Sequence, residues 1–137
     1  MNTVNEVKML EFPELGDDRG HLVVVEGRIN IPFEIKRIFY IYGSDKNVIR
    51  GQHANRYSEF CLINVNGTSK MRVIDIKGNE KIFNLDHPNM GIYVPSMIWK
   101  DMYDFSFDSI LLVLSNEHYD GNEYIRSYTD FLKQDTI

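Results

Sequence analysis

The sequence predicts an all-β fold, a closed double-sheet jelly-roll barrel with one short helix at its carboxyl end, and three observations carry that expectation. Aromatic and β-branched residues are frequent, with 8 Tyr and 8 Phe in 137 residues, and such side chains suit a half-buried pleated surface. Turn signals recur at short intervals, from Asp17-Asp18-Arg19-Gly20 to Pro88-Asn89-Met90-Gly91, with apolar or alternating runs between them. No long linker and no internal repeat divides the chain, so residues 1–137 read as one domain, and 43% apolar content is enough for one core.

Taken in order, residues 1–12 alternate loosely through Val7, Met9 and Phe12 as an amino-terminal strand that Pro13 stops. The Asp17–Gly20 turn leads to a strand at Val23-Val24-Val25-Glu26. In Ile35–Tyr42, Ile38, Tyr40 and Tyr42 lie on one face and Arg37, Phe39 and Ile41 on the other, as expected of a central strand covered on both sides. The segment Ile49–Val65 opens with the polar residues Arg50, His53, Asn55 and Glu59 and closes as the apolar run Phe60-Cys61-Leu62-Ile63. A regular strand there puts His53, Asn55 and Glu59 on one face, the kind of face that furnishes a barrel pocket. Asn66-Gly67 predicts a type I′ hairpin between Ile63–Val65 and Met71–Ile74, and Lys77-Gly78-Asn79 a second one before Lys81–Leu85, together an antiparallel meander. Strands follow at Ile92–Val94, at Met97–Lys100 and at Ser109–Leu114, the last apolar enough to be buried on both faces. Glu123, Tyr124, Ile125, Tyr128, Phe131 and Leu132 recur at helical spacing, which predicts an amphipathic helix over about 123–134.

Charge narrows the function. A net charge of −5 and a pI near 5.3 argue against nucleic acid as the partner, because phosphate binding on that scale needs a basic face. A small anionic ligand stays open, held by a few local arginines. Cys61 is the one cysteine and sits in an apolar run, so it reads as a small buried hydrophobe in a reducing compartment. No charged-then-apolar leader is present, and no apolar run nears the ~18 residues of a membrane span, so a soluble cytoplasmic protein with no membrane partner is expected.

His53, Asn55 and Glu59 from one strand, Tyr40 from the one before and Trp99-Lys100 from a later one are brought to one barrel mouth by this topology. Gly51-Gln52-His53-Ala54-Asn55 with Glu59, followed by Asn66-Gly67, resembles the first cupin motif, and Pro95 with Trp99-Lys100 resembles the second. Asn55 stands where the motif's second His belongs, and Lys100 where the last one does. Asn is a poor transition-metal ligand and a protonated Lys repels a cation, so neither a metal nor another cofactor is expected.

Within the cupins the chain resembles the sugar 3,4-ketoisomerases that act on nucleotide-linked 4-keto-6-deoxyhexoses. The resemblance is carried by Asp18-Arg19-Gly20-His21-Leu22, Ile31–Tyr40, Arg50–Ala54, Gly91–Val94, Trp99–Met102, Tyr119-Asp120 and Tyr124-Ile125-Arg126, and covers nearly the whole chain. It implies an isomerase that moves the keto group of a dTDP-4-keto-6-deoxyhexose from C4 to C3 through an enediolate, ahead of amination for O-antigen and other surface polysaccharides. It implies His53 as acid/base, Tyr40 as donor to the enediolate oxygen, and Arg19 and Arg50 on diphosphate or sugar oxygens. Glu59 would orient a neighbour, Asn55 and Trp99 would meet the sugar, and His21 would bear on the face at which C4 is reprotonated. It also implies a homodimer with an exchanged N-terminal strand at residues 4–12.

Asn55 is the departure that matters, because an amide cannot titrate. Either His53 works with Tyr40, or Lys100 is a desolvated base with a lowered pKa, or the protein binds the nucleotide-sugar without isomerising it. A cupin epimerase acting at C3 and C5 would require a His/Asp pair at a spacing that the sequence lacks.

Overall fold

The computed structural model describes residues 1–135. A single 3-10 turn at Val4–Glu6 precedes β1 (Lys8–Glu11), and β2 (Glu14–Asp17) and β3 (Gly20–Val23) form a hairpin. Next come β4 (Arg37–Tyr42), β5 (Arg50–Asn55), β6 (Phe60–Asn66), β7 (Ser69–Ile74), β8 (Glu80–Leu85), β9 (Met90–Val94), β10 (Trp99–Tyr103) and β11 (Ile110–Ser115). A 3-10 turn at Gly121–Glu123 leads into β12 (Tyr124–Ile125) and α1 (Tyr128–Lys133).

The strands form two five-stranded sheets, ordered β1-β9-β6-β11-β4 and β12-β5-β10-β7-β8, with the β2–β3 hairpin standing apart. Strand periodicity sends alternate side chains between the sheets, where Leu62, Met71, Val73, Ile92, Val94, Ile98 and Leu111 make the main core. The outer face of the first sheet is covered by the segment after β3, through Ile31 and Phe33 against Cys61, Ile63 and Leu114. The outer face of the second sheet is covered by α1, whose Phe131 packs with Ala54, Trp99 and Ile125. This is the expected jelly-roll barrel.

Three local expectations are corrected. Asn66-Gly67 does not close a hairpin: β6 pairs with β11 and β9, whereas β7 pairs with β10 and β8, so the turn carries the chain from one sheet to the other. Gly67 has φ 68°, and Thr68 donates its amide to Ser106 Oγ at 2.8 Å, which fixes the corner. The second expected hairpin, between β7 and β8, is present. Strand β4 is an edge strand paired only with β11, so Ile38, Tyr40 and Tyr42 face outward and are exposed. The tail is helical only over Tyr128–Lys133, because β12 uses Tyr124 and Ile125 to pair with Asn55 and Ala54 of β5.

The β5–β10 ladder is irregular at one point. Lys100 faces His53 and Asp101 faces Gly51, so Gln52 is the extra residue of a bulge, and the bulge sets His53 opposite Lys100. Gly51 and Gln52 both have positive φ, 84° and 55°, and a Cβ on Gly51 would lie 2.8 Å from the Lys100 carbonyl oxygen.

The sheet-crossing corner makes a first prediction. A Cβ at Gly67 would sit 2.8 Å from Ser109 Cα in a left-handed conformation, so Gly67→Ala should cost about 2 kcal/mol in urea unfolding. An unchanged midpoint would show that the corner relaxes freely.

Candidate active site

Between the two sheets lies a cavity with one apolar and one polar side. Strands β4, β6 and β11 contribute Phe39, Ile41, Phe60, Leu62 and Val113, while β5 and β10 contribute Arg50, His53, Lys100 and Met102. Tyr124 of β12 completes the lining.

Lys100 is the centre of the polar side. Its neighbours in β10 alternate, so Trp99 points outward and Lys100 inward, where it is 3% exposed. Its Nζ donates to Asn55 Oδ1 at 3.1 Å and lies 4.7 Å from the centre of the Phe60 ring. Asn55 in turn donates its Nδ2 to Glu123 Oε1 at 2.7 Å. Glu123 is buried, and its other oxygen accepts the backbone amides of Tyr57 and Ser58 at 3.2 and 3.1 Å. An amine removed from water favours its neutral form, and burial holds Lys100 down to about 7, with the more distant Glu123 carboxylate opposing the shift.

His53 is half-buried beside it, on the adjacent strand and in direct register with Lys100. Its Nδ1 lies 3.0 Å from the Gly51 carbonyl, an acceptor only, so Nδ1 carries the proton and Nε2 keeps its lone pair. The ring packs against Tyr124 at 4.7 Å between centres. Burial, and then the Lys100 charge, hold this imidazole down to about 4. At neutral pH the site thus holds a neutral imidazole acceptor next to an amine near the midpoint of its titration.

The other expected residues divide. Arg50 lines the cavity from its rim, and Asn55 sits behind Lys100 as its hydrogen-bond partner. Tyr40 lies on the outer face of β4, 62% exposed and stacked on Tyr42; strand alternation gives the inward place to Phe39, which has no hydroxyl. Glu59 falls out of phase with His53 and Asn55 because the ladder breaks between β5 and β6. It accepts hydrogen bonds from the Tyr93 hydroxyl and from Asn116 Nδ2, away from the cavity. Trp99 packs outside the barrel against Tyr128 and Phe131 and donates to Asp101. Arg19 and His21 ride on the exposed β2–β3 hairpin, Arg19 paired with Asp17 at 2.6 Å and His21 near Glu14 at 3.7 Å.

Glu123 and Tyr124 are the residues of this site that sequence reasoning misses, because both fall inside the expected helix. Their signal was the polar Asp120-Gly121-Asn122 turn just before them, which ends any helix pattern. Arg126, with its guanidinium 4.7 Å from the Tyr124 ring, adds a cation to the same side. The donor set does not suit a metal ion: the two altered positions present an amide and an amine, and no cluster of three His, Cys, Asp or Glu side chains occurs among the described residues.

Residues 5–136 match the family described as FdtA: WxcM-like, C-terminal. The chain is 38% identical over 128 residues to the TDP-4-oxo-6-deoxy-alpha-D-glucose-3,4-oxoisomerase of Aneurinibacillus thermoaerophilus, covering 93% of this chain and 91% of that one. Among solved structures it is similar to a histidine-to-asparagine variant of the 3,4-ketoisomerase QdtA from Thermoanaerobacterium thermosaccharolyticum, in complex with TDP-4-keto-6-deoxyglucose. That match has a TM-score of 0.90 and 39% identity over 93% of this chain and 92% of the other. It is also similar to WlaRA, a TDP-fucose-3,4-ketoisomerase from Campylobacter jejuni, with TM-score 0.88 and 43% identity over 94% and 95% of the two chains.

The buried amine makes a prediction about stability. Unfolding returns Lys100 to its ordinary value of 10.5, so between about 7 and 10.5 the unfolded chain binds more protons than the folded one, and stability attributable to Lys100 rises with pH across that window. Denaturation at pH 7 and pH 9.5 should show this rise in the wild type relative to Lys100→Met. Parallel curves for the two proteins would mean that the amine is not held in its neutral form.

Proposed function

The chain belongs to the FdtA family, and from that membership we infer that it is a dTDP-4-keto-6-deoxyhexose 3,4-ketoisomerase, an intramolecular oxidoreductase. The observation that carries the assignment of roles is the buried Lys100 amine held in register with a neutral His53 at an otherwise apolar cavity.

The reaction exchanges two kinds of proton. One leaves carbon C3 and one arrives at carbon C4, while O3 gives up its proton and O4 gains one. Lys100, with an amine near 7, is matched to the carbon step: it removes the C3 proton as a neutral base and returns it at C4 as an ammonium. The ammonium formed in between stands beside the enediolate and stabilises its charge in a low-dielectric site. His53 Nε2 is matched to the oxygen step, accepting the O3 proton and passing it to O4. Asn55 anchors Lys100 through Oδ1 and transmits the Glu123 carboxylate to it without titrating. The apolar lining of Phe39, Ile41 and Leu62 suits a deoxygenated sugar and keeps water from the enediolate. Arg50 at the rim, with Arg126 on Tyr124, suits the diphosphate of a dTDP-linked sugar.

We further propose a homodimer with an exchanged amino-terminal segment. Among the described residues the β2–β3 hairpin pairs with no other strand and leaves Leu15 61% and Leu22 55% exposed, and β1 before it is a sheet edge. Exchange would carry Arg19 and His21 of one copy towards the cavity of the other, where His21 bears on the face of C4 protonation. A buried, unpaired Cys61 suits a cytoplasmic enzyme, and the product suits amination on the way to surface polysaccharide.

Incubation with dTDP-4-keto-6-deoxyglucose in deuterated water, followed by NMR, tests the roles. The wild type should form the 3-keto sugar with solvent deuterium at C4, and kcat/KM should rise through about pH 7 as Lys100 loses its proton. Lys100→Met should lower kcat by about 10²–10⁴-fold with the nucleotide-sugar still bound. Full turnover in that variant would return the carbon step to His53, and binding without exchange in the wild type would establish the non-isomerising alternative. For the assembly, sedimentation should give a dimer at micromolar concentration; a monomer there removes the exchanged segment.

A further inference from the structure

The loop between β5 and β6, residues 56–59, holds the segment that follows β11 at three places. Glu59 and Asn116 exchange two hydrogen bonds, the Glu59 amide donating to Asn116 Oδ1 at 2.8 Å and Asn116 Nδ2 to Glu59 Oε2 at 2.9 Å. The Arg56 amide donates to the Glu123 carbonyl at 3.1 Å. Between these two, the Tyr57 hydroxyl donates to Asp120 Oδ2 at 2.5 Å. Asp120 is also the N-cap of the Gly121–Glu123 turn, its Oδ1 accepting the Asn122 amide at 3.0 Å.

Tyr57 therefore grips both ends of that turn: its hydroxyl holds the cap, and its backbone amide is one of the two that anchor the Glu123 carboxylate. A three-residue 3-10 turn has little rigidity of its own, so the place of Glu123 is set by what lies outside the turn. That place matters, because Glu123 is 2% exposed and its carboxylate reaches Lys100 through the Asn55 amide. Tyr57, by contrast, is 45% exposed, and a hydrogen bond at the surface replaces one to water at small net gain for the fold. The clasp keeps its protonation state across the working range of the site. The bond to Asp120 pushes the Tyr57 hydroxyl up to about 12, and the same bond holds the Asp120 carboxyl below its usual value.

We propose that Tyr57 and Asp120 are positioning residues of the isomerase, whose hydrogen bond clasps the Gly121–Glu123 turn to the loop after β5 and so fixes how closely Glu123 acts on Lys100. The role rests on the isomerase reading with Lys100 as base and deepens it. The charged and titratable groups facing Lys100 on the cavity side are Arg50 and His53 of β5, Glu123, Tyr124 and Arg126, with Arg37 of β4 across the Phe60 ring. Glu123 is the one carboxylate among them, so its withdrawal has a definite sign. Lys100 then loses the group that opposes its depression, and its midpoint falls below about 7. General loosening of the barrel does the reverse, because water reaching the amine returns it towards 10.5. Withdrawal of Glu123 also frees the Asn55 amide to turn, and Lys100 Nζ loses its fixed acceptor.

Turnover of dTDP-4-keto-6-deoxyglucose by the wild type, Tyr57→Phe, Asp120→Ala and Asp120→Asn across the pH range, with NMR titration of the Lys100 amine in the same proteins, tests it. Tyr57→Phe and Asp120→Ala should lower kcat about tenfold at unchanged KM, since neither side chain meets the sugar. Both should move the Lys100 midpoint down by about half a pH unit, in kcat/KM and in the NMR titration alike. Asp120→Asn keeps an acceptor for Tyr57 and a cap for the turn, and should behave as the wild type. An unchanged or raised midpoint in Tyr57→Phe, or an Asp120→Asn as impaired as Asp120→Ala, overturns the proposal and leaves the isomerase reading standing. A wild type that forms no 3-keto sugar overturns that reading, and this assignment with it.

Discussion

Everything about this site depends on keeping the Lys100 ammonium out of water without neutralising it by a direct ion pair. A carboxylate in contact would raise the amine's pKa well above neutrality, whereas full isolation would leave it permanently neutral. The chain Lys100–Asn55–Glu123 is a compromise between these limits. The amide accepts from the amine at 3.1 Å and donates to the carboxylate at 2.7 Å, so the negative charge acts at one residue's remove. Glu123 is itself anchored by the Tyr57 and Ser58 backbone amides, which fix it in place in the interior.

The barrel serves that arrangement in specific places. The bulge at Gln52 brings His53 opposite Lys100, and Gly51 is the residue that lets the β5 backbone approach the Lys100 carbonyl so closely. Strand β12, only two residues long, pairs with Asn55 and Ala54, and thereby sets Glu123 on one side and Tyr124 on the other at the end of β5. The short helix after it packs Phe131 against Trp99 and Ile125, closing the sheet behind the site. The tail is thus part of the candidate site's architecture.

The same division between local and tertiary effects decides how much was legible in the sequence. The jelly roll was legible because strand alternation and turn chemistry are local properties, and so was the pairing of His53 with Asn55 on one face. The partner sheet of each strand is a tertiary matter. Asn66-Gly67 has the chemistry of a hairpin turn, but β6 finds its partners in β9 and β11, so the same turn becomes a corner between sheets. Tyr40 fails for a related reason: in Phe39-Tyr40 the phase decides which ring faces inward, and that phase is set by the pairing of β4 with β11 and not by residue type. Glu123 and Tyr124 were hidden differently, inside an apparent helical period that β12 interrupts.

The acidic molecule and its cationic site are consistent with each other. A net charge of −5 disfavours polyanions, while Arg50 lines and Arg126 flanks one cavity that contains a buried amine. For a ligand carrying a neutral ring and a compact diphosphate, the proposed roles would separate binding from proton transfer. In the proposed reading guanidinium groups would grip the diphosphate, so binding would not draw on the amine assigned to the proton transfer. A lysine in both roles would be held protonated by the very anion it binds. Phe60 packs its ring 4.7 Å from Lys100 Nζ, so the amine that the proposed mechanism uses as base is walled from solvent on that side by an aromatic face.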